Sequence, residues 1–380
     1  MPAISSVLLT TGHWATWILG GAGLLATLIP LLRHTAWWIR VCDFPRLQIV
    51  LALVLTLAAG LALGQASDGL AQQLFLIALA SAAVYQVTRI VPYTPLVRKD
   101  VADSTRAPGT GAEFSIAVMN VLQYNREGPL ALATMRAADP DVIMAVETDA
   151  WWHEQLRPLE ETHPYTCHEP LDNTYGLLFF SRLPLKEPRI AYLLDDDIPS
   201  LHTHVQLPDG RTWVRLYGLH PKPPAPQEAK TSTKRDAELL LVGKEVDRRD
   251  EPTIVFGDMN DVAWSHTSEL FRRVSGLLDP RVGRGLMPTF HADYSLLRWP
   301  LDHVFVSTHF QVVDMRRLPH MGSDHFPIFV RLSYEPQHKD AQEENVEAAD
   351  AEDHAEADEK IAEGFAEEKE EETSSTEAGK

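Results

Sequence analysis

The stretch Thr253-Ile254-Val255-Phe256-Gly257-Asp258-Met259-Asn260-Asp261 decides how the soluble part of the chain is built. Its β-branched and aromatic residues predict a short buried strand, and the glycine that follows marks the end of that strand. Asp258 and Asn260 come directly afterwards. We therefore expect both side chains at one edge of a sheet, where functional sites are commonly built.

Short β-like runs recur on both sides of this stretch. They are Phe114–Met119, Val142–Val146, Gly176–Phe180, Thr212–Leu219, Thr253–Phe256, His303–Val306 and Ile328–Leu332. Helical patterns such as Pro129–Ala138 and Gln227–Val246 lie between them. This mixture, over about 220 residues, predicts an α/β or α+β domain.

Polar residues with related chemistry lie next to most of these runs. Besides Asp258 and Asn260, they are Asn120, Glu147, His220, Asp302, Asp324 and His325. Carboxylates, amides and imidazoles without cysteine favour a hard cation such as Mg²⁺, with Mn²⁺ as the alternative. A histidine can stabilise or protonate a phosphoryl group, and an aspartate can accept a proton from water. The sequence has no Gly-rich phosphate loop, which argues against an ATP-driven enzyme.

Taken singly, each residue also has a structural explanation. An aspartate after a strand, such as Asp258, is most often a turn former or a helix cap. The same holds for Asn120, while Glu147 could begin a surface helix. Arg182 and Lys222 could supply positive charge near a substrate head group, or they could be ordinary surface cations.

The order of the motifs is more specific than any single residue. The motifs are Met119-Asn120-Val121, Val146-Glu147-Thr148, Leu219-His220-Pro221, Gly257-Asp258-Met259-Asn260, Asp302-His303-Val304 and Ser323-Asp324-His325-Phe326-Pro327. This set resembles the endonuclease/exonuclease/phosphatase (DNase I-like) superfamily, and the uncharged N-terminal runs suggest a membrane-anchored bacterial-type member. Val146 stands where the family commonly has Gln before the metal-binding Glu.

The resemblance implies a four-layer α/β fold, a β-sandwich flanked by helices, with the site at one end. It also implies two groups of site residues. The metal group has Glu147 as the main Mg²⁺ ligand, with Asn120 and Asp324 near the metal or its waters. In the reaction group, Asp258 activates water and Asn260 holds the water or the phosphate. His220 and His325 face the phosphoryl group, and Asp302 orients His325.

The N-terminal region has the composition of a membrane anchor. Trp14–Leu32, Leu47–Ser67 and Gly69–Thr88 are uncharged runs, and about 20 apolar residues suffice to cross a bilayer. We expect two to three transmembrane helices in residues 1–98, hence a multi-pass protein of a cell (inner) membrane. The basic residues of the first and last linkers favour a cytoplasmic catalytic domain, unless the third run lies on the membrane surface.

The remaining domain boundaries follow from composition. Residues 99–112 predict a linker, residues 113–334 the catalytic domain, and residues 335–380 an acidic tail. Few apolar residues in the tail predict that it is disordered or transiently helical, and dispensable for fold and catalysis. Two cysteines, Cys42 and Cys167, are too few for a disulfide framework or a thiolate zinc site.

The charge of the chain bears on the substrate. The formal net charge is −19, and the catalytic region is acidic, which is a poor match for a protein that must contact DNA phosphates. The composition favours a lipid-linked or small phosphoester presented at the bilayer. A nuclease acting on DNA or RNA is the less favoured alternative, and a non-catalytic membrane scaffold is a second one. The sequence does not define an oligomeric state.

Overall fold

The computed structural model describes residues 2–106 and 113–378. Residues 107–112 of the predicted linker therefore lie outside the described residues. The chain divides into two units, Met1–Val97 and Arg98–Lys380, and each has its own hydrophobic core.

The first unit is helical. Its helices are α1 (Pro2–Leu28), α2 (Trp37–Arg40), α3 (Arg46–Ala62) and α4 (Leu70–Ile90). Two stretches, Thr10–Leu32 and Leu70–Tyr93, are long and apolar enough to cross a membrane. The predicted middle span falls on α3, which reaches spanning length only together with α2 across a bend of 71°. Within residues 2–106 and 113–378, two helices could therefore span a membrane, or three if the bent pair forms one span.

The second unit contains two β-sheets. Their strands are β1 (Glu113–Asn120), β2 (Val142–Val146), β3 (Tyr165–Glu169), β4 (Leu177–Ser181), β5 (Leu185–Tyr192), β6 (Pro199–Gln206), β7 (Trp213–Leu219), β8 (Thr253–Asp258), β9 (Asp302–Val306), β10 (Phe310–Arg317) and β11 (Ile328–Tyr334). One sheet has the order β10-β11-β1-β2-β4-β3, and the other has the order β5-β6-β7-β8-β9.

The two sheets pack face to face and are covered by helices. Along β1, Ile116 and Val118 enter the core between the sheets, whereas Ala117 and Met119 enter a second core on the outer face. This alternation follows from the two-residue period of a strand. The covering helices are α5 (Gly128–Ala138) and α6 (Ala150–Leu156) on the first sheet, and α7 (Thr233–Asp247) and α8 (His266–Ser275) on the second. The predicted four-layer α/β sandwich is confirmed.

Parallel pairing brings the ends of four strands to one edge. In the first sheet β1 runs parallel to β2, so that Asn120 is paired with Val146, directly before Glu147. In the second sheet β7 runs parallel to β8, and antiparallel β9 begins with Asp302 opposite Asp258. The predicted polar residues therefore meet at one end of the sandwich.

The second unit is longer than the range 113–334 that the sequence predicts for the catalytic domain. Val101 is fully buried in the core between the sheets, and Ser104 N donates a 2.8 Å hydrogen bond to Val312 O. After β11, helix α9 (Lys339–Glu343) places Gln342 where its side chain bonds to Thr308 O and accepts from Ala102 N. Residues 99–106 are thus part of the folded unit rather than a free linker.

The acidic tail also differs from the expectation of disorder. Residues 351–378 form helix α10 (Ala351–Ala378), which packs along α7. Ala357 is fully buried, and Gly364 approaches Ala237 so closely that an added Cβ would lie 2.4 Å from the alanine Cβ. The contact also contains ion pairs between the acidic helix and basic residues of α7 and α8: Lys234–Glu371, Lys244–Asp358 and Arg273–Asp353. Small residues and charge complementarity add to the few large apolar side chains of the tail, of which Ile361 packs against the core beneath α7 and α8.

Candidate active site

Asn120 links the two sheets at the centre of the site. Its Nδ2 donates to Glu147 Oε1 at 2.6 Å and to Asp258 Oδ2 at 3.0 Å. Asn120 Oδ1 accepts from Leu122 N, which fixes the orientation of the amide. One amide therefore holds together two carboxylates that are 111 positions apart in sequence.

The backbone around Glu147 and Asp258 has local features that place these side chains. Glu147 and Asn260 adopt the left-handed conformation, with φ of 60° and 51°, a conformation that costs about 1–2 kcal/mol for a residue with a Cβ atom. Gly257 has φ of 145°, and a Cβ there would lie 1.9 Å from Leu219 O. Only glycine permits β7 and β8 to approach at this point, so Gly257 positions Asp258.

His325 is held between two buried carboxylates. Its Nδ1 lies 2.8 Å from Asp302 Oδ2, and its Nε2 lies 3.5 Å from Asp258 Oδ2. Burial lowers the pKa of His325, but Asp258 and Asp302 outweigh that effect and raise it to about 10. The ring is therefore an imidazolium at neutral pH and donates its Nδ1 proton to Asp302.

His220 differs from His325 in charge. It is almost completely buried, and burial lowers its pKa to about 4 in spite of the nearby Asp258. The ring of Tyr175 lies 5.5 Å from it, and the Tyr175 hydroxyl donates to Glu228 Oε2 at 2.9 Å. The site thus contains one neutral and one charged imidazole near Asp258.

The donor set fits a hard cation. Burial raises the pKa of Glu147 to about 7, an effect opposed by Asn120 and His325 and reinforced by Asp324 and Asp258. A desolvated carboxylate that faces two others is stabilised by a divalent cation, and carboxylate and amide oxygens are the ligands that such cations take. Glu147 and Asp324 supply carboxylate donors, whereas the predicted ligand Asn120 presents its Nδ2 to the site and positions the two carboxylates that it bonds to.

A second grouping of donors overlaps the first. Ligand atoms of Asp258, Asp302 and His325 all lie within 4.8 Å of one another. In this arrangement the His325 ring links the two carboxylates through its Nδ1 and Nε2. We therefore interpret these three residues as a hydrogen-bonded group beside the donors of Glu147 and Asp324.

Several supporting residues have no signal in the sequence. Arg235 is fully buried on α7, donates to Asn260 O at 2.7 Å and pairs with Asp261 at 3.0 Å. Ser323 Oγ donates to Asn120 O and accepts from His325 N. These contacts join segments that are far apart in the chain, so the sequence does not reveal them. Ser323 alone of these two residues lies within one of the motifs, which is the signal that could have identified it as a site residue.

Two predicted substrate contacts have different outcomes. Arg182 directly follows β4, which is antiparallel to β2, so it lies at the opposite edge of the sheet from Glu147. There it pairs with Asp139 at 2.6 Å and with Asp141 at 3.6 Å. The prediction that Arg182 binds substrate is wrong for this geometric reason. Lys222 lies in the loop two residues after His220 and stays a prediction.

The sandwich and its strand-end carboxylates and histidines define a class of phosphoester-hydrolysing enzymes. The profile of the Endonuclease/Exonuclease/phosphatase family matches residues 119–325, more than half of the chain. The chain belongs to this family.

Several solved structures are similar to this chain at low sequence identity. One is an endonuclease/exonuclease/phosphatase from Beutenbergia cavernae DSM 12333, with 19% identity, TM-score 0.47, and coverage of 59% of this chain and 72% of that one. A family protein from Bacteroides thetaiotaomicron has 20% identity, TM-score 0.47, and coverage of 60% and 98%. The mannosyl-6-phosphatase Bt3783 of Bacteroides thetaiotaomicron VPI-5482 has 20% identity, TM-score 0.46, and coverage of 58% and 100%. No curated protein matches the chain.

Proposed function

We propose that this protein is a membrane-anchored, Mg²⁺-dependent hydrolase of lipid-linked or small phosphoesters. The observation that carries the proposal is the amide of Asn120, which holds Glu147 and Asp258 together in a buried site. Glu147 and Asp324 would hold the cation, and Asn120 would position the Glu147 carboxylate. When bound, Mg²⁺ would polarise a phosphoryl oxygen and neutralise its charge.

The reaction is supported by the protonation states of the site. Asp258 Oδ1 accepts from Asn260 N, and Oδ2 faces both Asn120 and His325. As a carboxylate, Asp258 accepts the proton of the attacking water. His325, held as an imidazolium by Asp302, donates a charged hydrogen bond to the phosphoryl oxygens and stabilises the charge that develops there.

The surroundings of the site favour an amphiphilic substrate. Residues 290–299 form a loop that is closed by backbone pairing of Phe290 with Trp299. The Phe290 ring lies 4.9 Å from the His325 ring, and Ala292 N donates to Asp324 O at 2.6 Å. At the tip, Leu296 is 82% exposed and Tyr294 is 58% exposed. We call residues 290–299 the rim loop.

A second exposed aromatic residue, Tyr124, lies near the segment 320–325. Tyr124 is 74% exposed, and its neighbours Gln123 and Asn125 bond to Glu147 Oε2 and Met321 O. Exposed aromatic and aliphatic side chains next to a site are expected where a bilayer or an acyl chain covers them. They support a lipid-linked phosphoester over a nucleic acid.

Membrane anchoring is supported by the first unit. Thr10–Leu32 and Leu70–Tyr93 have the length and hydropathy of spans, and large apolar side chains such as Leu25, Leu55 and Leu74 are more than half exposed on its surface. If the bent pair α2–α3 also spans, the positive-inside rule, applied to Arg33, Arg40 and Arg46, favours a catalytic unit in the cytoplasm, whereas two spans place it on the opposite side. Reporter fusions after residue 380 test this orientation.

A substrate screen tests the function. The full-length protein in detergent micelles is incubated with Mg²⁺ and with phospholipid and polyprenyl phosphates, small soluble phosphoesters, plasmid DNA or RNA. We expect turnover of the lipid-linked or small phosphoesters, and loss of that turnover with EDTA and in Asp258→Asn. Cleavage of nucleic acid alone would establish the nuclease instead. No turnover of any substrate would favour the non-catalytic scaffold.

A further inference from the structure

Three side chains with metal-binding atoms converge away from the active site. His153 lies on α6, Glu160 lies just after that helix, and His168 lies on the edge strand β3. His168 projects from the outer face of the sheet, where its ring lies 4.6 Å from the ring of Phe180. This cluster belongs to the second unit and shares no residue with the site at Glu147.

The distances in the cluster are unusual for hydrogen bonds. Glu160 Oε1 lies 3.8 Å from His153 Nε2 and 3.6 Å from His168 Nε2, and hydrogen bonds between such atoms are about 2.7–3.2 Å. Among the described residues, both ring nitrogens of His168 are buried without a hydrogen-bond partner. An imidazole that is left unsatisfied next to a carboxylate needs an explanation.

The same distances fit a shared metal ion. Zn²⁺ binds His nitrogen at about 2.0–2.1 Å and carboxylate oxygen at about 2.0–2.2 Å in a tetrahedron. Donors of such a tetrahedron are about 3.4 Å apart, as the geometry of these bond lengths requires. All three ligand atoms lie within 4.8 Å of one another, so small side-chain movements suffice to bind the ion.

We propose that His153, Glu160 and His168 form a zinc site, with water as the fourth ligand. Two imidazoles favour Zn²⁺ over Mg²⁺, which takes oxygen ligands. The side chains of Glu160 and His153 are 40% and 32% exposed, so the ion can enter from solvent. β3 is the end strand of its sheet, and the ion would fasten this strand to α6.

Metal counting tests the site. The full-length protein in detergent is stripped with EDTA, and excess Mg²⁺ is added to occupy the carboxylates of the active site. Zn²⁺ is then titrated and the bound metal is counted, and Co²⁺ is used as a spectroscopic probe of tetrahedral coordination. We expect the wild type to bind one more Zn²⁺ per chain than His168→Ala, with a tetrahedral Co²⁺ spectrum that the variant lacks.

Matched variants separate the site from general histidine binding. Glu160→Gln changes an accessible residue, keeps the size of the side chain and makes it a weaker metal ligand. It therefore replaces His168→Ala as the test variant if His168→Ala does not fold. His338→Ala is the control, because His338 lies 3.7 Å from Glu335 in a similar pair without a second histidine. Zn²⁺ should raise the unfolding temperature of the wild type and of His338→Ala only. Equal zinc content in the wild type, His168→Ala and Glu160→Gln would overturn the proposal.

Discussion

At the scale of single residues, Asp258 and Glu147 have different expected roles. Asp258→Asn should reduce kcat by roughly 10²–10⁴, because the carboxylate that accepts the proton is lost. Both oxygens of Asp258 accept hydrogen bonds, from Asn120 and from Asn260 N, so the new NH₂ group also faces a donor and costs about 1–3 kcal/mol of stability. Circular dichroism should still show a folded protein.

Glu147→Gln provides the comparison for this prediction. A neutral amide is a weaker ligand for Mg²⁺ than a carboxylate, so activity should fall and then recover in part as Mg²⁺ is raised. Asp258→Asn should show no such recovery. Activity of Asp258→Asn within about threefold of the wild type, where a lost general base predicts at least 10², would contradict the assigned role.

Asp302 should control the pH dependence of kcat, because it holds the His325 ring in its protonated form. The pKa of His325 is about 10, above the ordinary value, so the imidazolium is present from acidic pH up to that value and is lost as the pH rises through it. Asp302→Asn removes one of the two carboxylates that raise this pKa. We expect the alkaline limb of the kcat profile to move to lower pH, measured with a soluble phosphoester.

The control for the pH profile is Asp314→Asn, a surface change on β10 whose carboxylate pairs with Arg316. It should leave the profile unchanged. An alkaline limb at the same pH in Asp302→Asn and the wild type would show that His325 acts in its neutral form or does not act.

The sequence predicts which polar residues lie at strand ends, because these positions are local. Asn120, Glu147 and Asp258 follow short apolar runs, and a strand end can be recognised without its partners. Arg182 fails because strand direction is set by pairing: β4 is antiparallel to β2, which no local pattern of Gly176–Phe180 reveals. The contacts of Arg235 and the cluster at His168 depend on the same long-range pairing and are equally hidden.

At the scale of elements, the docking of α10 gives a prediction with a definite sign. Alanine is favoured over glycine inside a helix by about 1 kcal/mol, so Gly364→Ala should stabilise a free helix. In the docked helix, the new Cβ would lie 2.4 Å from the Cβ of Ala237. Overpacking of this kind costs about 1–3 kcal/mol, and we expect a lower unfolding temperature.

A double-mutant cycle checks this interpretation. Ala237→Gly removes the atom that Gly364→Ala would meet, so the double variant should lose less stability than the sum of the single changes. A Gly364→Ala protein more stable than the wild type would indicate that the tail is free, as its composition alone predicts. Sequence analysis misses this docking for two reasons. The tail has few apolar residues, and the ion pairs that hold it, such as Arg273–Asp353, join segments that are far apart in the sequence.

The rim loop should affect amphiphilic substrates selectively. Leu296→Ser removes an exposed apolar side chain at its tip, so the KM for a lipid-linked phosphoester should rise several-fold while a small soluble phosphoester is unaffected. Val313→Ser, an exposed position on β10, is the matched control. Equal effects of Leu296→Ser on both substrates would mean that the loop has only a structural role.

At the scale of the whole molecule, the first unit should determine the location of the second. The full chain should remain in the membrane pellet after an alkaline wash. A chain of residues 98–380, which keeps its own core, should stay in the supernatant and retain turnover of soluble phosphoesters. Turnover of lipid-linked substrates should fall more than turnover of soluble phosphoesters when the first unit is removed. A full chain in the supernatant without detergent would contradict membrane anchoring.

The segment before β1 and the segment after β11 contact each other beside β10. Gln342 Oε1 accepts from Ala102 N, and Asn345 Nδ2 donates to Asp100 O at 2.7 Å. Both segments therefore leave the sandwich at the same place, and neither uses a residue of the site. This proximity makes the sandwich suited to circular permutation: in a chain that ends before α10, a short peptide could join residues 98 and 345, and new termini could open at the exposed turn around Asp209 and Gly210.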